Sequence, residues 1–394
     1  MANNNENKIL NVPNLRFPEF CGEWVTKSIN DLAVVIGGGT PDTTVKSYWD
    51  GEIQWFTPSE IGKNKYVDSS LRTITEVGLN NSSAKLLPPN TILLSSRATI
   101  GECSLSLREC ATNQGFQCLV SKKCNVDFLY YLIQTKKKDL IRKSCGSTFL
   151  EISANEVRKI QVSVPSDVEQ QKIAELLSLI DERIATQNKI IEKYESLIKG
   201  LNNILLYGTE GKYVCLGDIL LERSERSRTN NQHEVLSSTV KGIFSQREYF
   251  SKDIASENNV GYKIIRLHDV VLSPQNLWMG NINYNDRFDI GIVSPSYKVF
   301  SIADGYDNQF VAAMLKTYRA LYSYMMVSEQ GASIVRRNLN MEAFLQLVFK
   351  IPSLDKQREI GYAISLLKYQ LKTANKIIRA YISQKKYLLR QMFI

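Results

Sequence analysis

The chain of 394 residues has little of what a metalloenzyme, a secreted disulfide scaffold or a membrane protein needs. It holds two histidines, His233 and His268, which argues against a histidine-built metal site. Its seven cysteines are an odd number, and the five between Cys103 and Cys145 fall at irregular spacings with no Cys-x-x-Cys. That pattern reads as reduced thiols packed as small apolar groups, not as zinc ligands or disulfides. No run of 18 apolar residues occurs, so no membrane span is predicted. The first ten residues, MANNNENKIL, lack the apolar core of a secretion signal, which predicts a cytoplasmic protein. The dinucleotide and nucleotide glycine fingerprints, GxSxG and HExxH are all absent. The run Gly37-Gly38-Gly39-Thr40-Pro41 reads as a turn, because Pro41 removes one of the backbone donors a phosphate cradle would use.

What is present is hydrophobic content of 43%, enough for packed cores, and a formal net charge of +9 with pI near 9.0. A basic chain of this kind points to a polyanion partner, nucleic acid first.

The strongest pattern begins after Pro165, which marks a helix entry. Apolar positions step by fours and threes through Ile173, Leu177, Ile180, Ile184, Ile191, Tyr194, Ile198, Leu201 and Leu205, with one polar break at Gln187. This is a heptad seam and predicts a coiled-coil helix roughly 55 Å long. The same seam recurs 187 residues later, after Pro352, at Ile360, Ile364, Leu367, Leu371, Ala374, Ile378, Tyr381, Lys385, Leu388 and Met392. No gap is needed to hold register through ten positions. The chain therefore reads as a block, a rod, a second block and a second rod. The expected division is a flexible arm over 1–14, a block over 15–165, a rod over 166–210, a block over 211–352 and a rod over 353–394. The first rod leads into block two and the second runs back, so the chain ends meet in a pseudo-two-fold object.

Between the rods the fold class is mixed α/β. Ile53–Thr57, Thr91–Ser95, Phe116–Val120 and Ile160–Val164 read as strands, and Val126 to about Arg142 as a helix. Block two repeats block one loosely: Asn90–Ser95 is answered by His268–Ser273, Phe128–Leu132 by Gln309–Leu315, and Ile160–Val164 by Leu347–Ile351. The rods match without gaps while the blocks match in outline, as expected of two readers diverged on a shared frame.

No catalytic set convinces. Carboxylates sit among lysines on the rods, where solvated or i,i+4 pairing accounts for them. Binding signals are better. Turn-like stretches of block one carry Lys46, Tyr48, Trp49, Arg97, Thr99, Asn113, Gln114, Arg142, Lys143, Ser147 and Thr148. Those of block two carry Ser237, Ser238, Lys241, Gln246, Arg247, Gln275, Asn276, Asn281, Arg336, Arg337 and Asn338. Arg, Lys, Asn and Gln can pair with base edges, while Ser, Thr and Lys position a phosphate backbone. For any one of them taken alone an ordinary exposed polar residue is the favoured reading, and the four tryptophans suit a core better than a stacking platform.

Certain motifs then align in order with a known family. In the first half they are Leu15-Arg16-Phe17-Pro18-Glu19-Phe20 with Trp24, the glycine turn through Pro41, Trp55-Phe56-Thr57-Pro58, and Ala111 to Phe116. In the second they are Leu236 to Ile243, Tyr249-Phe250, and Val293 to Phe300. Together with two rods, each following a block, the chain resembles the specificity subunit of type I restriction–modification systems over nearly its whole length. The second half lacks a Gly-Gly-Thr-Pro turn, so its block belongs to a different subclass. The resemblance implies two target recognition domains, each reading half of a split site in double-stranded DNA, with the rods paired antiparallel as a spacer. It implies that this chain is not an enzyme. Two modification (methyltransferase) subunits would supply S-adenosylmethionine chemistry, and restriction subunits would bring ATP, Mg, translocation and cleavage. Two other readings stay open here. One is a stand-alone DNA adenine methyltransferase, since Ser294-Pro295-Ser296-Tyr297 has the outline of an amino-methyltransferase loop, although no cofactor fingerprint precedes it. The other is a coiled-coil scaffold with no DNA role.

Overall fold

The computed structural model describes residues 11–146, 150–207, 210–249, 258–330 and 337–394, without the side chains of 204–207 and 248–249. Ser147, Thr148, Phe250, Arg336 and the side chain of Leu205, all singled out above, lie outside that description. The chain divides into unit one, residues 1–189 with 376–394, and unit two, residues 190–375.

Unit one opens on β1 (Val25–Ser28), α1 (Ile29–Leu32) and β2 (Ala33–Gly37). The apolar run from Ile29 to Ile36 divides between α1 and β2. A capping box, in which Asp31 Oδ2 accepts from Ser28 N at 2.8 Å, winds its first half into a helical turn. Then come β3 (Trp49–Phe56), β4 (Tyr66–Val67), β5 (Arg72–Ile74), α2 (Glu76–Asn80), β6 (Ile92–Leu94), β7 (Cys103–Ser106), β8 (Cys110–Thr112) and β9 (Gln117–Ser121). The helix expected from Val126 to Arg142 is two, α3 (Val126–Thr135) and α4 (Lys137–Arg142), parted at Lys136, whose ψ near 8° leaves the α region. After α5 (Ala154–Arg158), β10 (Gln161–Val164) pairs antiparallel with β1. The main sheet has the order β2-β9-β6-β7-β4, and a second sheet the order β5-β3-β8. Phe128 to Ile133 of α3 are all buried, as suits a helix with apolar side chains all round.

Unit two repeats the frame. Its elements are β11 (Lys212–Cys215), α7 (Leu216–Ile219), β12 (Leu220–Arg223), β13 (Leu236–Thr239), β14 (Gly242–Ser245), α8 (Gln246–Tyr249) and β15 (Lys263–Arg266). There follow β16 (Val270–Leu272), β17 (Ile282–Tyr284), β18 (Ile290–Val293), β19 (Lys298–Ile302), β20 (Ser328–Gln330), β21 (Arg337–Leu339) and β22 (Val348–Ile351). The strand order β12-β19-β16-β17 matches β2-β9-β6-β7, and β11–β22 matches β1–β10. The short helices are α9 (Asn308–Met314), α10 (Tyr318–Met326) and α11 (Met341–Leu345), of which α9 fills the core as α3 does in unit one.

The long helices are α6 (Asp167–Tyr207) and α12 (Leu354–Gln391). Each contributes to both units. In unit one the start of α6, through Ile173, Leu177 and Ile180, shares a core with the end of α12, through Leu388 and Met392. The two run antiparallel there, and Lys385 at a polar seam position pairs with Asp181 at 2.6 Å. In unit two the start of α12, through Ile360 and Ile364, meets Leu201 near the end of α6. Gln187, Ala374 and Ile378 are buried. Ile184, Ile191, Tyr194, Ile198, Leu201, Leu367, Leu371, Tyr381 and Lys385 are half-buried. The 187-residue repeat extends to a detail of polar chemistry. Gln170 is buried, donates to Pro165 O at 3.0 Å and accepts from Asn125 N at 3.0 Å. Gln357, its repeat, is buried, donates to Pro352 O at 3.0 Å and accepts from Asp307 N at 3.0 Å. Asn125 and Asp307 are the N-caps of α3 and α9. Each long helix therefore satisfies the cap residue of the core helix before it.

In unit one the first described stretch of the chain meets the last. Leu15 N donates to Gln391 O at 2.8 Å, and Trp24 packs edge-on against Phe393 with ring centres 6.4 Å apart. Arg16 grips the buried Glu169 with two bonds of 2.8 and 2.7 Å.

Candidate nucleic-acid interface

The rim of unit one is built on its glycine turn. A Cβ at Gly38 would lie 2.0 Å from Asn113 O, and one at Gly39 2.3 Å from Ala84 N, so no larger residue fits. The turn is held by Gly39 N donating to Thr112 O at 2.8 Å and by the Trp55 indole donating to Gly39 O at 2.9 Å. This sets Thr40 beside Gln114, whose side-chain oxygen accepts the Thr40 hydroxyl, while the rest of the exposed amide faces solvent. Asn113 Oδ1 accepts from Gly115 N at 2.9 Å. Gly115 O accepts from Ser96 N at 2.8 Å, which brings up Arg97, itself paired with Glu151 at 2.8 Å. Thr99 donates to Ser95 Oγ at 3.0 Å, on the same loop. On the other side Gly115 abuts Pro58, and the Thr57–Glu60 capping box follows. Arg97, Gln114, Thr40 and Pro58 thus form one continuous edge.

Other block-one residues stand apart. Lys46 is exposed and Tyr48 half-buried. Trp49 is 6% exposed, edge-on to Trp55, with its indole donating to Asp42 O at 3.1 Å, so its ring belongs to the core. Arg142 pairs with Asp139 at 2.6 Å and Lys143 lies 3.9 Å from Glu156.

In unit two Ser238, Thr239, Val240, Lys241, Ser273, Gln275, Asn276, Asn281, Ser296 and Tyr297 line one polar recess of about 440 Å³. Its wall is a closed network. Ser238 Oγ donates to Asn281 Oδ1 at 2.9 Å and accepts from Asn283 Nδ2 at 2.7 Å. Tyr297 OH donates to Ser238 O at 3.0 Å, and Asn281 Nδ2 to the same carbonyl at 3.1 Å. Behind it Lys316 donates to Asn283 Oδ1 at 2.7 Å and Gly280 O at 2.9 Å, with Val240 O at 3.4 Å. All three acceptors are neutral, and burial pulls the Lys316 ammonium down to about 8. Ser237, Ser238 and Asn281 are buried and hold the wall, while Lys241 and Gln275 are exposed at its lip. Gln246 bonds Ser237 Oγ at 3.2 Å, and Arg247 is exposed. Arg337 is committed to Ser328 O through two donors, while Asn338 beside it is exposed.

Sequence reasoning passed over Asn283, Tyr297 as a wall residue, and Lys316. Nothing in the pattern of a lysine among apolar residues announces that its head is buried.

Among the described residues no group of three or more His, Cys, Asp or Glu could hold a metal ion. All seven cysteines are free, and burial pushes the Cys103, Cys110 and Cys118 thiols up to about 12, which leaves them unreactive. Among the same residues no helix is long and apolar enough to cross a membrane.

Residues 22–196 match the family described as type I restriction modification DNA specificity domain. The chain is 40% identical over 179 residues to the type I restriction enzyme MjaIX specificity subunit of Methanocaldococcus jannaschii, covering 43% of this chain and 41% of that one. It is 31% identical over 175 residues to the EcoR124I/EcoR124II specificity subunit of Escherichia coli, covering 42% of this chain and 43% of that one. The chain thus spans about two fifths of the length of the curated relatives it matches. In fold it is similar to the crystal structure of a type I restriction-modification S subunit from M. genitalium, with a TM-score of 0.61 at 16% identity over 97% of this chain and 99% of that one. Residues 22–196 thus match the type I restriction modification DNA specificity domain family, and the chain as a whole is similar in fold to an S subunit.

Proposed function

We propose that this chain is the DNA-selecting subunit of a type I restriction–modification complex, with each unit reading one half of a split double-stranded target. The observation that carries it is the match of unit one to a DNA specificity domain, joined to a second unit with the same strand order on the other half of the chain. The rim of Arg97, Gln114 and Thr40 and the recess lipped by Lys241 and Gln275 supply the amide and cationic donors that base edges and phosphates accept from. The net charge of +9 favours the encounter.

In this reading the chain chooses the site and partners do the chemistry: modification subunits with S-adenosylmethionine, and restriction subunits with ATP and Mg. Partner docking is supported by the outer face of α12, where Tyr362, Leu366 and Tyr369 stand 70%, 45% and 66% exposed at i, i+4 and i+7. The test is a methylation and binding assay on the chain with and without modification subunits. Sequence-selective, salt-sensitive binding to a bipartite duplex, and methylation of it only when those subunits are present, is the expected result. Methyl transfer by the purified chain alone would overturn it.

A further inference from the structure

One loop of unit one is built unlike the rest of its surface. Leu71 is 86% exposed, more than any other large apolar side chain among the described residues. Its backbone is nonetheless fixed. Leu71 N donates to Glu60 Oε1 at 2.6 Å, Ser70 N donates to Gln54 Oε1 at 2.7 Å, and Ser70 Oγ donates to Arg72 O at 2.6 Å. Ser70 Oγ in turn accepts from Trp55 N at 2.9 Å. The other oxygen of Glu60 is taken up by Thr57 N at 2.7 Å. A rigid loop therefore holds an apolar tip out in water.

Arg72, next in the chain, begins β5 opposite Trp55. Its guanidinium carbon lies 3.6 Å from the ring centre of Trp49, and no carboxylate pairs with it among the described residues. Stacking on a buried indole fixes the orientation of the cation and leaves its donors unspent. This assigns the buried Trp49 a use: it is the platform, not the reader. Through Glu60 and Pro58 the loop continues the edge that carries Gln114 and Thr40.

We propose that Leu71 and Arg72 form a DNA-contacting knuckle of unit one, with Arg72 on a backbone phosphate and Leu71 against the 5-methyl group of a thymine in the first half-site. The inference rests on the DNA-selecting reading above. Thymine's methyl is the apolar group of the major groove, and an unpaired, pre-oriented arginine fits a phosphate beside it. A leucine on a tied loop reaches such a methyl without the ordering cost a mobile side chain would bear.

The test uses the full chain, purified with the subunits that accompany it in its host, and a pool of randomised duplexes. Wild type enriching no sequence would overturn the DNA-selecting reading itself. Given enrichment, Leu71→Ala should lose the thymine preference at one position of one half-site. Deoxyuridine in place of that thymine should weaken wild type about three- to fivefold, the value of one buried methyl, and leave Leu71→Ala unchanged. Arg72→Ala should lower the slope of log affinity against log salt by about 1 without altering either sequence, and Arg72→Lys should keep the slope. Leu71→Gln provides the same base read-out should the alanine variant lose its thermal transition. Unaltered base preference with an unaltered salt slope, or loss of subunit assembly in place of these effects, overturns the knuckle while the reading of the chain stands.

Discussion

Between β2 and β6 of unit one, the segment 38–91 carries β3, β4, β5 and α2 and contributes Thr40 and Pro58 to the rim. Between β12 and β16 of unit two, the matching segment 224–269 carries the β13–β14 hairpin, α8 and β15, and helps to wall a recess. Flanking strands, core helices and glutamine contacts are the same in both. The frame is set by buried apolar area, which tolerates few alternatives, whereas the inserted segments answer to polar contacts that can be rearranged without emptying a core. The two solve the problem of presenting donors differently: unit one stacks a cation on an indole, while unit two buries one behind a wall of amides.

The largest effect that would sharpen this contrast is exchange of residues 15–165 for the matching block of a relative. One half-site should change completely and the other not at all, as read by sequencing methylated sites in cells. A change in both would break the claim that the units read independently.

Substitutions in the shared frame come next. Ile180 is 5% exposed in unit one, while Leu367 is half-buried in unit two. Ile180→Asp should cost roughly several kcal/mol of stability, because a carboxylate would enter an apolar core without a partner. Leu367→Asp should cost less, since its carboxylate retains access to water. Urea denaturation of both variants gives the order, and equal losses would mean the seam is equally dry at both places.

The repeated glutamines predict equality instead. Gln170→Leu and Gln357→Leu each strand a backbone N–H, Asn125 in one unit and Asp307 in the other, and each should lose about 1–3 kcal/mol. A loss confined to one unit, seen by hydrogen exchange of α3 against α9, would show that the frames are less alike than their geometry.

The smallest effect separates the units by pH. Lys316 titrates near 8 in the folded protein and near 10.5 unfolded. Its folded value is lowered, so burying the charge penalises unit two below about pH 8. As pH rises from 8 toward 10.5 the unfolded chain holds a proton the folded one has released, and stability should rise by on the order of 2 kcal/mol. Lys316→Met should remove this rise, seen as the difference between the variant and wild-type pH profiles. Identical profiles would mean the ammonium is better solvated than its neutral partners imply.

The long helices were plain in the sequence because a ten-position heptad seam that recurs without gaps at an offset of 187 residues encodes burial directly. The central strands and α3 were plain because their apolar runs are buried on all sides. The break at Lys136 was not, since a lysine is an ordinary helix residue and only its backbone angles part α3 from α4. Of the candidate site residues, Gln114, Lys241 and Gln275 are exposed as their turn-like stretches predict, whereas Trp49 turned inward and Ser238 and Asn281 joined a buried wall. Whether a small polar residue faces water depends on partners more than 40 positions away in the chain, as with Ser238 and Asn281. Leu71 and Arg72 escaped notice for the opposite reason: an exposed leucine leaves no periodic signature.

The two glutamine contacts have a bearing on how such chains can be spliced. Because Gln170 completes the start of α3, the block and the first turn of the following helix behave as plug and socket. The plug is a side chain carried by the repeated part of the chain, while the socket is a backbone N–H that any N-cap residue but proline offers, asparagine in one unit and aspartate in the other. A graft cut anywhere after the glutamine carries both halves of the joint, and a graft cut before it still finds the same joint waiting in the recipient. The joint thus lies in the repeated frame and does not depend on the segment between β2 and β6 or between β12 and β16, so a graft cut at either helix start should keep it intact.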